Sequence, residues 1–342
     1  MSIKQAIERL AGLLAGKTSV LSTKGGLAYG IAQLVDDVPT LERMVVALQS
    51  ARQIALDAEG VSLGRAGKMC LLSLSPAAPA GSPPDTPTPV YLLDISTLST
   101  VAFIHSPPSL QRAGSGGSGS RRAPGRAAGP GPPRPGTVDA AGNLPVPGTG
   151  DPGGPYSCLK DILECPKVAK LAFDVRCDAE ALFHQHGVRL GGAVDLQLAE
   201  VAYRRYGPAP RRVAYVMGLS KVLESYLDAE ARERWRATAV DKRLLHEQFN
   251  RDPQYWDRRP LTEEQVRYAA DDVLYLHHLQ RFFGETLPEP IMSRVVRFSE
   301  YRVLESCQSA AGAGPGAAPG LAGARLAGAT GDASRAQAPA GL

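Results

Sequence analysis

The stretch that decides the fold is Ile54-Ala-Leu-Asp-Ala-Glu-Gly60, in which a short apolar run ends in two acidic residues. The run at 54–56 is typical of a buried strand. Because side chains alternate along a strand, Asp57 and Glu59 point to the same face. Two like charges about 4 Å apart repel by about 4 kcal/mol at an effective dielectric constant near 20, unless a cation lies between them. The pair therefore indicates either a solvent-exposed strand end, the commoner case for Asp-x-Glu, or a cation site.

Further strands and helices are predicted on both sides of this stretch from apolar runs and helical periodicity. The strands are predicted at 31–35, 54–56, 69–74, 90–93 and 169–173. The helices are predicted at 39–51, 159–163, 178–186, 194–206, 219–227, 229–250, 262–283 and 291–304. Strands that come first and helices that follow, with a strand-helix-strand crossover, predict an α/β fold whose mixed sheet is covered by helices.

Glycine and proline divide the chain into folded and unfolded parts. Residues 106–155 hold 13 Gly, 11 Pro and 5 Ser with almost no large apolar side chain, so a disordered insertion that is also arginine-containing is predicted there. The Ala/Gly-rich tail at 307–342 is predicted to be disordered for the same reason. The remaining residues, 31–105 and 156–306, predict one domain interrupted by the insertion and preceded by an N-terminal extension at 1–30.

Composition excludes several classes of protein. The chain of 342 residues is 44% hydrophobic and 21% charged, as is usual for a soluble protein, and no apolar run is long enough to cross a membrane. Its five cysteines form no Cys-x-x-Cys pair, which argues against a disulfide framework and a zinc ribbon. A reducing intracellular compartment is therefore expected, either nucleus or cytoplasm, with an organelle left open. The net charge of +4 is compatible with a polyanionic partner.

A second acidic position lies where a strand ends and a helix begins, in Lys170-Leu-Ala-Phe-Asp-Val-Arg-Cys-Asp178. Asp178 stands at or near the helix start. An N-cap is one reading of this aspartate, since Asp caps helices well. A role in the same site as the first acidic pair is the other.

The third acidic segment is strongly helical and runs from Leu261 to Asp272. Thr262 and Gln265 predict a capping box at the helix start. Tyr268 and Asp272 are four residues apart and therefore lie on one face. A merely polar helix face is the alternative.

In this order the three segments resemble the motifs of the DEDD-type 3′-5′ exonucleases, in the DEDDy variant with tyrosine in the third motif. The chain is most similar to the ribonuclease D branch, close to the egalitarian-like exonuclease-domain proteins, over residues 31–283 outside the insertion. Other residues that carry the resemblance are Asp57-Ala-Glu-Gly-Val-Ser-Leu-Gly-Arg65-x-Gly67, Tyr91-Leu-Leu-Asp94-Ile, Val194-Asp-Leu-Gln197 and His246-Glu-x-Phe-x-x-Asp252-Pro-x-x-Trp256-x-x-Arg259-Pro-Leu261.

The resemblance implies a ribonuclease-H-like (DnaQ-like) fold with two divalent cations, Mg²⁺ or Mn²⁺, in its active site. It implies that Asp57 bridges both cations, that Glu59 and Asp272 hold the one that activates water, and that Asp178 holds the other. Tyr268 would orient the attacking water. An oxygen-only ligand set suits Mg²⁺ or Mn²⁺ better than zinc.

The implied function is hydrolysis of phosphodiester bonds at single-stranded nucleic-acid 3′ ends, with RNA favoured over DNA and no membrane partner. The alternative is an egalitarian-like adaptor that binds nucleic acid but has lost turnover. Two departures from the family pattern leave the ligands intact, namely Asp174 where many relatives have asparagine and Phe173 where close relatives often have histidine.

Arginines outside the motifs are candidates for phosphate contacts, although isolated arginines more often only solvate a surface. They are Arg204, Arg205, Arg211, Arg212, Arg258 and Arg259, with five more in the insertion. Tyr255 and Trp256 lie beside two of them, where they are predicted either to stack an end base or to pack against the last helices.

Overall fold

The structure is a computed structural model that describes residues 32–79, 81–82, 86, 88–111, 156–239 and 242–308. The predicted N-terminal extension, most of the predicted insertion and nearly all of the predicted tail lie outside the described residues. The first six residues assigned to the insertion are described, and they include a short helix. No helix in these described ranges is long and apolar enough to cross a membrane.

Six strands form one mixed sheet in the order β1-β4-β3-β2-β5-β6. Strand β3 is antiparallel to both of its neighbours, and the other neighbouring pairs are parallel. The α/β class with a mixed sheet is therefore confirmed. The strands are β1 Ala32–Val35, β2 Gln53–Val61, β3 Lys68–Pro76, β4 Val90–Asp94, β5 Ala169–Ala172 and β6 Ala193–Asp195.

Helices cover both faces of the sheet. They are α1 Val38–Leu48, α2 Ile95–Leu98, α3 Val101–Ile104, α4 Pro108–Gln111, α5 Leu159–Glu164, α6 Arg176–His186, α7 Leu196–Tyr206, α8 Leu219–Tyr226, α9 Ala229–Thr238, α10 Lys242–Arg251, α11 Glu263–Leu274, α12 Leu276–Thr286 and α13 Glu289–Cys307, with a 3₁₀ turn at Tyr255–Asp257.

The sheet separates two apolar cores, because alternate residues of each strand point to opposite faces. Ile54 and Leu56 of β2 pack with α1, α5 and α6 on one side. Ala55 of the same strand packs with α7, α11, α12 and most of α13 on the other. Asp57 and Glu59 continue the alternation of Ala55, so the acidic pair belongs to the face that α11 covers.

Three predicted helices differ from the observed ones. The predicted helix at 194–206 begins with the short strand β6, and α7 starts only at Leu196, where the Asp195 carboxylate accepts a hydrogen bond from the backbone N–H of Gln197 at 3.0 Å. The predicted helix at 262–283 breaks at Tyr275, which caps α11 and precedes α12. The predicted helix at 229–250 is likewise two helices, α9 and α10.

Lys170 of β5 is a fully buried cation. Its ammonium group donates to the carbonyl oxygens of Cys165 at 2.5 Å and Ile162 at 3.3 Å. Burial lowers the pKa of Lys170 to about 7, and the nearby Cys165 opposes this shift. The folded protein therefore releases this proton above pH 7, whereas the unfolded chain retains it up to the ordinary lysine pKa.

We expect the free energy of unfolding of the wild type to rise between pH 7 and pH 9, relative to Lys170→Met, by about 2 kcal/mol. Stability increases with pH in this window because the unfolded state binds the extra proton. Urea denaturation of both proteins at the two pH values measures the difference. If the free energy of unfolding changed equally with pH in both proteins, Lys170 would not be the source of the pH dependence.

Candidate functional site

Three carboxylates from two elements meet at the sheet surface. Asp57 and Glu59 of β2 and Asp272 of α11 each contribute an oxygen atom, and these oxygens lie within 4.8 Å of one another. The two strand residues are half-buried and Asp272 is buried. We call these three residues the acidic cluster.

A bulge shapes the strand directly after the acidic pair. Glu59 is opposite Leu71 and Gly60 is opposite Met69, so Cys70 is an extra residue on β3. A side chain at Gly60 would collide with the backbone carbonyl of Lys68. The glycine therefore lets β3 stay paired with β2 where the chain leaves the acidic cluster.

The predicted capping box fixes the start of α11. The Gln265 backbone N–H donates to the Thr262 hydroxyl oxygen at 3.2 Å, and the Thr262 N–H donates to the Gln265 side-chain oxygen at 2.7 Å. This prediction is confirmed. From that start α11 packs across β2, β3 and β4, which places Tyr268 and Asp272 one turn apart over the acidic pair.

Tyr268 is buried beside the acidic cluster. Its ring packs against Trp256 and Phe249, with centroid distances of 5.8 Å and 5.9 Å. Burial raises the pKa of Tyr268 well above its usual value, and the charges of Asp272, Glu59 and Asp57 raise it further. The phenol therefore remains a protonated hydrogen-bond donor at neutral pH.

Trp256 belongs to the interior of this region. Only 4% of its surface is exposed, and it contacts Phe249, Tyr255 and Tyr268. Of the two readings that the sequence left open, packing is the one that the structure supports for this side chain. Its contribution to the site is to hold the tyrosine of α11 in place.

Asp178 lies in the first turn of α6 and is buried. The N-cap of this helix is Val175, which makes no side-chain capping bond, so the capping reading of Asp178 is wrong. Burial raises the pKa of Asp178 well above its usual value, and the charge of Asp57 adds to the shift, while a hydrogen bond from the Ala58 backbone opposes it. Asp178 therefore faces β2 next to the acidic cluster.

Asp195 ties the start of α6 to the rest of the domain. Its fully buried carboxylate accepts hydrogen bonds from the backbone N–H groups of Asp174 at 2.9 Å and Val175 at 3.2 Å. Arg302 of α13 donates to the same carboxylate at 2.5 Å. This network fixes the turn that precedes Asp178.

Asp174 occupies a strained position in that turn. Its φ of 65° lies in the left-handed region, which Asp and Asn adopt more readily than most residues. Burial works to raise the pKa of Asp174, but two hydrogen bonds from Arg176 at 2.6 Å and the charge of Arg302 hold it below its usual value. Asp174, which stands where many relatives have asparagine, is thus accompanied by Arg176 and Arg302. The sequence analysis did not predict the role of Arg302, because no local pattern marks this residue.

A second ion pair attaches the segment before α11 to the sheet. Arg259 donates to both oxygens of the buried Asp94 at 2.6 Å, and to the carbonyl oxygen of Cys70 at 3.1 Å. It also donates to the Trp256 carbonyl at 2.8 Å. These contacts give Arg259 a structural role beside the acidic cluster, and the phosphate contact that the sequence offered for it stays a prediction.

The family model described as "3′-5′ exonuclease" matches residues 153–288. Residues 153–288 are thus similar to 3′-5′ exonuclease domains, and the two curated relatives described below support the ribonuclease D-like branch of the DEDD type. This confirms the resemblance that the sequence motifs indicated, and domains of this type are those of hydrolases acting on nucleic acids. Asp178, Tyr268 and Asp272 lie inside the matched range, and the acidic pair of β2 lies before it.

Two curated relatives match part of this chain. The chain is 26% identical over 146 residues to the piRNA biogenesis protein EXD1 of Bombyx mori, which covers 42% of this chain and 41% of that protein. It is 31% identical over 123 residues to the ribonuclease D of Pseudomonas paraeruginosa, which covers 36% of this chain and 26% of the relative. The chain thus matches less than half of the length of these curated relatives.

Solved structures support the fold of this chain. Trypanosoma brucei RNase D has a TM-score of 0.54 at 22% identity, covering 83% of this chain and 77% of that one. The same protein in complex with RNA U12 gives the same score and identity over 84% and 76% of the two chains. The predicted ribonuclease-H-like fold is confirmed by this likeness.

All five predicted site residues converge in the structure. Asp57, Glu59 and Asp272 form the acidic cluster, Asp178 lies beside Asp57, and Tyr268 lies within reach of all three cluster charges. Their individual roles stay predictions. The arrangement brings concentrated negative charge and one neutral donor to a single place, which is suited to holding divalent cations and a water molecule.

Proposed function

We propose that the chain is a metal-dependent 3′-5′ exonuclease that hydrolyses phosphodiester bonds at nucleic-acid 3′ ends, with RNA as its preferred substrate. The observation that carries this proposal is the acidic cluster, whose three carboxylate oxygens lie within 4.8 Å. The names of the curated relatives and the RNA complex of the trypanosomal RNase D support RNA rather than DNA.

The residues present fit a pair of divalent cations. Burial raises the pKa of Asp178, and the negative charge of Asp57 raises it further, which shows that the two carboxylates repel each other. A cation between them would relieve this repulsion. We propose that Glu59 and Asp272 hold one cation, that Asp178 holds the other, and that Asp57 shares both. A ligand set made only of oxygens favours Mg²⁺ or Mn²⁺.

When bound, two such cations stabilise the attacking and leaving oxygens of an in-line displacement at phosphorus and activate a water molecule. The protein's own contribution is positional. The carboxylates are fixed on β2, α6 and α11, and we propose that the neutral Tyr268 hydroxyl donates to the oxygen of the attacking water. The packing of Trp256 against the Tyr268 ring limits the positions that this hydroxyl can take.

Tyr268→Phe should lower the turnover number by about a hundredfold, because the hydroxyl orients water and does not bind a cation. Manganese affinity, measured by isothermal titration, should change less than about twofold, since the ligand carboxylates are untouched. The matched control is Tyr91→Phe, which removes a hydroxyl from the core on the opposite face of the sheet. An equal loss of turnover in both variants would assign the effect to packing.

The proposed activity is tested directly with 5′-labelled oligonucleotides. We expect a ladder of products that shortens from the 3′ end, more rapidly on RNA than on DNA, with Mg²⁺ or Mn²⁺ present and none in EDTA. A 3′-phosphate block should slow degradation, because cleavage begins at that end. RNA binding without release of any nucleotide would instead identify the chain as an adaptor that lacks turnover.

A further inference from the structure

A cavity of about 410 Å³ lies between the end of α7, the following loop and α8. None of its lining residues belongs to β2, α6 or α11, so it is separate from the acidic cluster. Its volume falls in the range of small-ligand sites. We call it the tyrosine–arginine cavity, and it is lined by Tyr203, Arg204, Ala209, Arg211, Tyr215, Met217, Lys221, Ser225 and Tyr226.

A buried ion pair fixes one wall of the tyrosine–arginine cavity. Arg204 is 3% exposed and donates to both oxygens of the fully buried Glu200, at 2.5 Å and 2.7 Å. It also donates to the carbonyl oxygen of Tyr215 at 2.8 Å, while the Tyr226 hydroxyl donates to Glu200 at 3.2 Å. Because Arg204 is neutralised by Glu200, this wall is rigid but carries no net charge.

Aromatic rings supply a second surface of the cavity. Tyr203 and Tyr226 pack edge to face at a centroid distance of 5.3 Å, and Phe282 supports both from behind at 5.2 Å and 5.4 Å. The Tyr215 side chain is 45% exposed, and the Arg204 guanidinium lies 4.9 Å from its ring centroid. Rings held in this way offer stacking surfaces to a planar ligand.

Two exposed cations line the cavity. Arg211 and Lys221 are both exposed, and in the described part of the chain neither side chain takes part in an ion pair. None of the described residues that line the cavity is acidic, and the nearby Glu224, whose carboxylate feels the charge of Lys221, is paired with Arg236. Burial and the charge of Glu200 raise the pKa of Tyr226, and the charges of Arg204 and Arg211 oppose this shift, so Arg211 lies close enough to act on the cavity wall.

We propose that the tyrosine–arginine cavity binds a nucleotide, with its base against the tyrosine rings and its phosphate near Arg211 and Lys221. A planar aromatic group joined to an anion is the ligand that matches both surfaces. The nucleotide comes either from solution, as a free mononucleotide, or from an RNA strand bound to the chain. The site does not depend on catalysis at the acidic cluster.

Binding of two fluorescent probes to the full chain separates these sources. One probe is a labelled adenosine monophosphate and the other is a labelled single-stranded RNA, both measured by anisotropy in EDTA. Under these conditions the acidic cluster holds no divalent cation and repels phosphate, so its contribution to binding is suppressed. The test is therefore independent of nuclease activity.

The decisive variant combines Arg211→Glu with Lys221→Glu, and its control combines Arg43→Glu with Lys167→Glu. All four side chains are exposed and the two variants change the net charge equally, but the control residues do not line the cavity. We expect the cavity variant to bind at least about tenfold more weakly, and the control to stay within about twofold of the wild type. Tyr215→Ala, at an exposed ring, should weaken binding as well.

The pattern of loss identifies the source of the nucleotide. Loss of the adenosine monophosphate probe, with or without loss of the RNA probe, assigns the site to free mononucleotides, and loss of the RNA probe alone assigns it to a nucleotide of a strand. Equal affinities in the cavity variant and its control would overturn the proposal. So would a wild type that binds neither probe.

Discussion

Replacing Asp272 by asparagine is expected to lower nuclease turnover by about a thousandfold while leaving the protein folded. Asparagine keeps the shape of the side chain but removes one of the three charges that converge within 4.8 Å. A cation held by fewer charges binds more weakly and stabilises the transition state less. Turnover of 5′-labelled RNA in saturating Mg²⁺ is the measurement.

The same substitution makes a second prediction about stability. Because Asp272 is repelled by the neighbouring Asp57 and Glu59 when no cation is bound, Asp272→Asn should be at least as stable as the wild type in EDTA. Thermal unfolding without metal tests this. A loss of turnover together with a loss of stability would indicate damage to the fold and not removal of a ligand.

Asp271→Asn is the matched control for this experiment. Asp271 is the adjacent residue on α11 and is 8% exposed, the same as Asp272, but it lies outside the acidic cluster. Turnover of this variant should stay within about threefold of the wild type, since no ligand charge is lost. If Asp271→Asn and Asp272→Asn are equally impaired, the acidic cluster is not the centre of the chemistry.

Local sequence rules predicted the arrangement of residues within β2 and within α11, but not that these two elements lie close together in space. The alternation along β2 places Asp57 and Glu59 on one face of the strand, and the four-residue spacing on α11 places Tyr268 and Asp272 on one face of the helix. Each rule concerns neighbours in sequence, so neither says that α11 crosses β2. Only the combined resemblance to a known motif set predicted that the segments converge.

Asp178 shows what a local pattern leaves open. An aspartate near a helix start satisfies the capping rule and the ligand hypothesis equally well in the sequence. The structure rules out the cap, since Val175 is the N-cap, and it buries Asp178 beside Asp57, which belongs to a strand more than one hundred residues away in the sequence. Arg204 is a similar case, because its burial against Glu200 is a tertiary fact that an arginine count does not reveal.

The errors in the predicted elements have the same origin. Strand β6 has three residues, too few for an alternating pattern, and it exists because it pairs with β5. The break at Tyr275 interrupts two amphipathic helices whose periodicities join without a proline or glycine to separate them. Strand pairing determines β6 and helix packing determines the break at Tyr275. Neither kind of contact can be inferred from a short window of sequence.

Arg302→Leu is expected to lower the free energy of unfolding by about 3 kcal/mol, because it leaves the Asp195 carboxylate buried without its cation. Asp195 is fully buried, and its bond to Arg302 at 2.5 Å is the charged contact that offsets its desolvation. The hydrogen bonds from the backbone of Asp174 and Val175 remain, so the variant should still fold. Urea denaturation measures the loss.

The control for this variant is Arg297→Leu, an exposed arginine on the same helix. Its effect should stay within about 0.5 kcal/mol, as for most surface substitutions. A similar loss in both variants would show that leucine on α13 is itself harmful and that the ion pair contributes little.

Arg302→Leu should also reduce turnover, and the reduction should be larger than the one expected from the fraction of this variant that is unfolded. Asp195 holds the turn at Asp174 and Val175, and that turn begins the helix that carries Asp178. A looser turn would let the Asp178 carboxylate move away from Asp57, which weakens a shared cation. The expected signature is a higher Mg²⁺ requirement in Arg302→Leu, measured at a temperature where the protein is fully folded, and an unchanged requirement in Arg297→Leu. An unchanged Mg²⁺ requirement in both would confine Arg302 to stability and separate the network around Asp195 from the chemistry of the acidic cluster.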